Sequence, residues 1–409
     1  MLYLLMETLK FWIMLKSKIA INIVDSIEKS LNKRKNERIY LHEPYFNKTE
    51  ISLMNKCIKK NSVSTAGFYT KEFEEKIKLI TKAKYATATI NGTSALHLAL
   101  LAIGIKKNDE ILIPALNFIA SANACLYVGA TPHFIDIESK TLGVNFKKLK
   151  EYLSKNTKLK NGYCLNKKTK KPIRAIMLMH TFGHPNNLKD LRKIIKKFNL
   201  RCIEDAAEGL GSYYKKKHVG TFGDIGMISF NGNKIITTGG GGILITNNKK
   251  YALEIEKLAT INKKKHPWKY EFRALGYNYK MPSLNAALGL AQLKKLNNFI
   301  KIKRRMYVLY KNKFSKNEYF ELFAEPKNCK SNYWLQTIII NKNLKKLKDK
   351  IINLANKKNI MIRPVWKPVN KLKYLKDFPK MNLDTTNDLE NRIINIPSGP
   401  SLEKKMAKK

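Results

Sequence analysis

Apolar residues recur along this chain with one of two spacings, and the switch between them sets out an architecture. Over 20–32 (AINIVDSIEKSLN) they fall three and four apart, the spacing of one helix face. A charged stretch, 33–38, separates that helix from an extended entry, YLHEPYFNKTEISLMNKCIKKNSVST, in which Asn47 and Thr49 start a second amphipathic helix. Gly67 ends the following loop, and 69–81 is a third amphipathic helix. From residue 85 short apolar runs alternate with helical stretches. Strands are predicted over 85–90, 110–114, 131–136, 175–179, 201–204, 225–230 and 242–246, with helices over 94–102, 120–128 and 188–198. The stretch 146–171 reads as a lysine-rich helix and loop.

Strands that alternate with helices form a mostly parallel sheet covered on both faces, an α/β fold whose sites lie at the carboxyl ends of the strands. After residue 283 the pattern changes. An Ala/Leu helix over 283–296 is followed by a long basic helix, 298–314, then a strand over 333–340, a helix over 344–358 and a strand over 360–364. This reads as a smaller α+β domain. The expected division is an N-terminal extension and helix (1–38), a large domain (39–296) and a small C-terminal domain (297–409).

The first fifteen residues, MLYLLMETLKFWIML, are apolar but carry Glu7 and Lys10, and they are too short to span a bilayer. A start at Met14 is the expected explanation, and a membrane-surface anchor is the alternative. No transmembrane segment is predicted.

Composition adds little to this architecture. A hydrophobic fraction of 44% is ample for a packed core. The formal charge of +48 comes from 79 Lys and Arg against 31 Asp and Glu. Because these lysines are spread over helices and loops alike, they read as compositional bias rather than a nucleic-acid face. Weak, salt-dependent adhesion to polyanions is expected, without specific recognition. Five cysteines, odd in number and forming no CxxC pair, indicate neither a disulfide framework nor a zinc site. They fit a reducing cytoplasm.

The candidate chemistry sits just after predicted strands. Lys234 stands in SFNGNKIITTGGGG, between an apolar run and four glycines. A lysine there is ordinarily a turn residue, but its amine can form a Schiff base with a carbonyl cofactor such as pyridoxal phosphate. The glycines are expected to be slack backbone that lets the lysine swing. Asn91-Gly92-Thr93-Ser94 follows a strand and opens a helix, which makes it either an ordinary N-cap or an anion site. Asp205, in EDAAE, is placed to cap a turn or to pair with a pyridinium nitrogen. Phe118 is either core or a ring-stacking aromatic. His180 and His184, in HTFGHP, are candidates for substrate contact; with no carboxylate or cysteine at ligand spacing they do not read as a metal pair.

Taken in order, NGTSAL, PALNFIASANA, HTFGHP, EDAAEGLGS, SFNGNKIITTGGGG and GYNYKMPSLNAALGLAQL resemble the fold-type I pyridoxal-phosphate aminotransferases. Within these the chain resembles the DegT/DnrJ/EryC1/StrS family of nucleotide-sugar aminotransferases, from about residue 41 to 401. The resemblance implies a large domain with a seven-stranded sheet, a smaller C-terminal domain and pyridoxal 5′-phosphate as cofactor. Lys234 would be the Schiff-base lysine and proton shuttle, and Asp205 would hold the pyridine nitrogen. Glu208 would contact the ring hydroxyl and Phe118 would stack on the ring. Gly92, Thr93, Ser94 and Ser229 would bind the phosphate. Asn278 would reach the phosphate of a second subunit, making a homodimer.

The segments LHEPYF, SVSTAGFYTKEFE and HTFGHP are most similar to the branch acting in bacillosamine and legionaminic acid pathways. That implies transfer from L-glutamate to C4 of a UDP- or GDP-linked 4-keto-6-deoxy-N-acetylhexosamine, for surface-glycan synthesis. A perosamine synthase or a sugar dehydratase is the alternative. The dehydratases of this fold replace the lysine with histidine, so Lys234 counts against them. A nicotinamide enzyme would need a GxGxxG turn after its first strand, which is absent. Arg363 and Trp366, in IRPVWKP, are candidates for the substrate pocket or for domain packing. The chain departs from the family at Lys280, where arginine is frequent, at Glu208, where Gln or His also occurs, and after SLEKKMAKK, where relatives commonly add a closing helix.

Overall fold

The computed structural model describes residues 2–264 and 266–407, with side chains from residue 14 onward. Helix α1 (Leu2–Ser30) starts far ahead of the expected residue 20. The row Ala20, Ile23, Val24, Ile27 and Leu31 is buried against Met306, Tyr310 and Ile351, so this face packs on the far end of the chain. No described helix is long and apolar enough to cross a membrane.

A capping box opens α2 (Lys48–Lys59): Thr49 N donates to Asn47 Oδ1 at 2.9 Å, and Asn47 N donates to Glu50 Oε2 at 2.8 Å. There follow α3 (Phe68–Thr81), β1 (Tyr85–Thr89), α4 (Gly92–Ala102), β2 (Glu110–Pro114), α5 (Ile119–Tyr127), β3 (Thr131–Ile135) and α6 (Phe146–Asn156). Residues expected as loop then form a hairpin, β4 (Thr157–Lys160) and β5 (Tyr163–Asn166). Its turn is Asn161-Gly162, both at positive φ (51° and 76°), the conformation that matches strand twist in a two-residue hairpin.

The next elements are β6 (Pro172–Met179), α7 (Leu191–Lys197), β7 (Arg201–Asp205), a small hairpin β8 (Tyr213–Tyr214) and β9 (Lys217–His218), β10 (Ile225–Ser229), β11 (Gly242–Thr246) and α8 (Lys249–Ala259). The main path of the large sheet runs β1-β11-β10-β7-β6-β2-β3, with the β4–β5 hairpin attached to β6. Neighbours from β10 through β3 are parallel, whereas β11 is antiparallel to both β1 and β10. No helix crosses between β10 and β11, so the chain reverses directly. Two antiparallel pairings restore direction, and the carboxyl ends of β1, β2, β6, β7 and β10 all open on one edge.

The remaining elements are α9 (Ser283–Leu293), α10 (Leu296–Lys313), β12 (Phe320–Leu322), β13 (Cys329–Lys330), β14 (Gln336–Ile340), α11 (Lys348–Lys357), β15 (Arg363–Pro364), α12 (Asp384–Glu390), β16 (Ile393–Ile396) and α13 (Glu403–Met406). A second, antiparallel sheet runs β12-β14-β16-β15, and α1, α10 and α11 share its core. The expected strand 333–340 is only β14, because Tyr333 takes φ 50° and breaks the extended run. The Ile39↔Ile360 bridge ties the entry segment to this second sheet.

Candidate active site

Loops leaving the carboxyl ends of the parallel strands enclose a cavity of about 290 Å³ lined by Gly92, Thr93, Phe118, Asp205, Glu208, Ser229 and Lys234. Strand alternation decides which carboxylates face it. Asp205, the last residue of β7, lines the cavity, while Glu204 beside it points to the other face. Ser121 Oγ donates to Asp205 Oδ2 at 2.7 Å, and Ala207 N donates to Oδ1 at 3.1 Å. Burial raises the Asp205 pKa, and these two donors act against that rise.

Glu208 is also buried. Its Oε2 accepts Phe182 N at 2.8 Å and its Oε1 accepts Lys234 Nζ at 3.1 Å. Burial pushes its pKa up to about 7 against the pull of Lys234.

Lys234 projects from a loop whose ends are tied by Thr238 N to Phe230 O (3.0 Å) and Phe230 N to Gly241 O (2.9 Å). Its Nζ lies 4.2 Å from the centroid of the Trp334 ring, within cation–π range. Trp334 is fixed in turn: its Nε1 donates to Asn233 O at 2.7 Å, and its N donates to Asn332 Oδ1 at 2.8 Å. Asn332 Nδ2 donates to Glu208 O at 2.7 Å, which couples the lysine's aromatic wall to the carboxylate that pairs with it.

Two of the four glycines after Lys234, Gly241 and Gly242, are hemmed in rather than slack. A Cβ on Gly241 would meet Thr238 Oγ1 at 2.2 Å, and one on Gly242 would meet the Asn91 carbonyl at 2.7 Å. Asn285 Nδ2 donates to Thr238 O at 2.8 Å and pins the turn. Glycine is required there by close backbone approach.

The far end of the cavity is made by the start of α4 and the end of β10. A Cβ on Gly92 would lie 3.4 Å from Ser229 Oγ, so the two elements touch. Among the described residues no lysine or arginine except Lys234 lines the cavity. An anion there would be held by backbone N–H groups at a helix start and by hydroxyls of Thr93 and Ser229. A flat ring with a phosphate tail and a carbonyl fits this donor set: a buried carboxylate, an amine and an uncharged anion cradle.

Three expected site residues fall elsewhere, and a fourth, Asn278, was expected to serve a second subunit. Ser94 does not line the cavity, and its N–H is given to Asn91 Oδ1 at 2.8 Å as a helix cap. Asn278 is exposed, away from the cavity of its own chain. His180 is fully buried behind the site: its Nε2 lies 3.0 Å from Glu204 Oε2, and its Nδ1 accepts Asn186 N at 3.2 Å. His184 is buried between Phe323 and Tyr333, with Nδ1 on Ser331 Oγ at 2.9 Å. The two histidines therefore brace loops rather than line a pocket. Burial lowers the His184 pKa to about 3, so it is neutral.

A second cavity, of about 600 Å³, adjoins the first across Asn233, Trp334 and Trp366, and Arg363 and His42 line it. Trp366 joins the two, with ring centroids 5.2 Å from Phe182 and 6.1 Å from Phe118. Lys280 serves neither cavity. It is clasped by Glu74 (2.9 Å) and Glu256 (2.7 Å). Trp334, Ser121, Asn233 and His42 were not singled out from sequence. Trp334 is hidden in the apolar run before β14, where it reads as strand.

An amine beside a buried carboxylate at the strand ends of a large α/β sheet defines a lysine-centred, group-transferring enzyme. The chain belongs to the DegT/DnrJ/EryC1/StrS aminotransferase family, which it matches over residues 44–409. It is 36% identical to the GDP-perosamine synthase of Escherichia coli O157:H7 over 365 residues, 89% of this chain and 94% of that protein. It is 30% identical to a UDP-4-amino-4,6-dideoxy-N-acetyl-beta-L-altrosamine transaminase of Campylobacter jejuni over 371 residues, 90% and 94% of the two chains. A putative sugar aminotransferase from Streptococcus pneumoniae, solved in its PLP form, shares the fold with a TM-score of 0.77 at 20% identity, covering 91% of this chain and all of that one.

Proposed function

We propose that this chain transfers an amino group from L-glutamate to C4 of a nucleotide-linked 4-keto-6-deoxy hexose, for surface-glycan synthesis in the cytoplasm. The observation that carries the reading is Lys234 Nζ, held 3.1 Å from Glu208 and against Trp334 in a cavity that Asp205 also lines. Pyridoxal phosphate is the cofactor, and when bound it supplies the electron sink that acidifies the carbon bearing the transferred amine.

Lys234 would hold the cofactor through its amine, and the same amine is placed to move a proton at the substrate carbon. Asp205, oriented by Ser121, would keep a proton on the ring nitrogen. Glu208 would contact the ring hydroxyl, while Phe118 would cover the ring face. Gly92, Thr93 and Ser229 would hold the phosphate without a cationic side chain. Asn278, exposed in its own chain, completes that end in a second copy, so the working unit is a homodimer. Arg363 and Trp366 line the adjoining cavity, which takes the nucleotide sugar.

The acceptor is a UDP- or GDP-linked sugar, of the bacillosamine or legionaminic acid type or of the perosamine type. The higher identity to a GDP-perosamine synthase favours the GDP-linked 4-keto sugar as the first to test. The test is incubation with glutamate and each 4-keto nucleotide sugar, with the C4 configuration of the product read by NMR. Borohydride should fix the visible chromophore to Lys234, as located by mass spectrometry, and Lys234→Ala should abolish both signals. A Lys234→Ala protein with normal turnover would overturn the proposal.

A further inference from the structure

Of the seven histidines in the chain, His42 alone has both ring nitrogens buried and without a hydrogen-bond partner among the described residues. Its position is not accidental. The segment leading into it is pinned twice, by the Ile39↔Ile360 bridge and by Ser398 N donating to Leu41 O at 2.7 Å. The backbone thus delivers the imidazole into the wall of the 600 Å³ cavity that adjoins Lys234. A buried polar atom without a partner forfeits its hydration for nothing, so a ring with two of them at a cavity wall is built for an occupant of that cavity.

Two lysines define what that occupant offers. Lys303 is fully buried, donating to Trp334 O at 2.9 Å and Ser398 O at 2.7 Å, and no carboxylate balances it in those contacts. Burial above all holds the His42 pKa well below its ordinary value, with Lys303 and Lys234 acting the same way, and burial likewise lowers the pKa of Lys303. The ring is accordingly a neutral imidazole, with one donor and one acceptor. That pair matches a hydroxyl or an acetamido group, each of which can both give and accept. It does not match a diphosphate, which only accepts and favours cations. Arg363, on the same cavity, is the group suited to phosphate.

We propose that His42 is a sugar-contacting residue of the acceptor site, hydrogen-bonding a hydroxyl or acetamido group of the hexose rather than the nucleotide. This rests on the nucleotide-sugar reading above. The test uses the full-length protein and four unreactive probes: GDP-mannose, UDP-N-acetylglucosamine, GDP and UDP, titrated by calorimetry. His42→Phe, which keeps a ring but no polar atom, should weaken whichever sugar nucleotide the wild type binds by about tenfold while leaving the free diphosphate unchanged. His42→Asn, which retains a donor and an acceptor, should recover much of that loss. Equal losses for sugar nucleotide and diphosphate, or no loss at all, would overturn the proposal. Should His42→Phe fail to fold, NMR of the histidine-labelled wild type decides. The His42 signal, assigned with His42→Asn, must shift with the sugar nucleotide and not with the diphosphate, and the converse refutes the assignment. A wild type that binds none of the four probes counts against the nucleotide-sugar reading itself.

Discussion

Gly242→Ala perturbs the cofactor site without touching a functional group. Gly242 begins β11 and pairs with Thr89 of β1 and Ser229 of β10. A Cβ there would lie 2.7 Å from Asn91 C and O and 2.8 Å from Gly92 N, all of them backbone atoms. No side chain can swing aside, so the Asn91–Gly92 turn must retreat by roughly half an ångström or more, since close-packed interiors do not absorb such a contact. That turn carries the N–H groups assigned to the phosphate. Overpacking of this kind costs about 1–3 kcal/mol. If the cost falls on the cradle, it corresponds to about 5- to 150-fold weaker cofactor binding. Gly240→Ala is the control, because the nearest atom to a Cβ there is Ile90 O at 3.7 Å. Titration of the cofactor-free protein with pyridoxal phosphate, followed by absorbance, should show Gly242→Ala impaired and Gly240→Ala close to wild type. Equal impairment of both would mean that the run of glycines acts by flexibility, and the packing argument would fail.

Glu208 should make the stability of the cofactor-free protein fall with rising pH. Its folded pKa of about 7 lies above the ordinary 4.5, so its contribution is fully present below about pH 4.5 and is lost as pH rises through 7. Denaturant melts at pH 5 and pH 8 should show most of about 3 kcal/mol of this fall in wild type and not in Glu208→Gln; identical slopes would refute the assignment. Glu204→Gln should instead act on the fold, because Glu204 accepts backbone N–H groups from Gly220 (2.9 Å), Phe222 (2.5 Å) and Gly223 (2.6 Å) as well as facing His180. A destabilisation of about 3 kcal/mol by chemical denaturation is expected, with activity per folded molecule largely kept; full stability would contradict the network.

The strands of the large sheet were legible because runs such as EILIP and IGMIS are buried at every position and so carry no polar alternation. The β4–β5 hairpin was read as loop: its turn, Asn161-Gly162, carries a hairpin signal, but lysines at Lys158 and Lys160 dominate the stretch and hide its strand character. The reversal at β11 could not be read, since strand direction depends on how the glycine turn packs and not on the strand's own residues. Asp205 and Lys234 were visible because one ends its strand and the other comes shortly after one, and Ser229 was marked through the family resemblance. Trp334 and His42 were not. They come from segments far away in sequence, and only tertiary packing shows that one faces an amine and the other a cavity.

The same logic separates Glu204 from Asp205 in EDAAE, of which Asp205 was expected at the site and Glu204 was given no role. Successive strand residues point to opposite faces. At the end of β7 one carboxylate must therefore go to the cavity and its neighbour behind it. The neighbour, Glu204, is held below the ordinary carboxylate range, against burial, by His180 and by the Gly220 and Gly223 amides. His180 N in turn donates to Asp205 O at 3.0 Å, so the histidine that seemed a substrate ligand fixes the backbone of the residue assigned to the pyridine nitrogen. Glu208, three residues on, returns to the cavity side and meets Lys234. A site that must keep one carboxylate buried at a fixed place needs a second network behind it with its own polar groups satisfied. The density of polar residues in these motifs follows from that need, and Glu204, His180 and His184 belong to the scaffold.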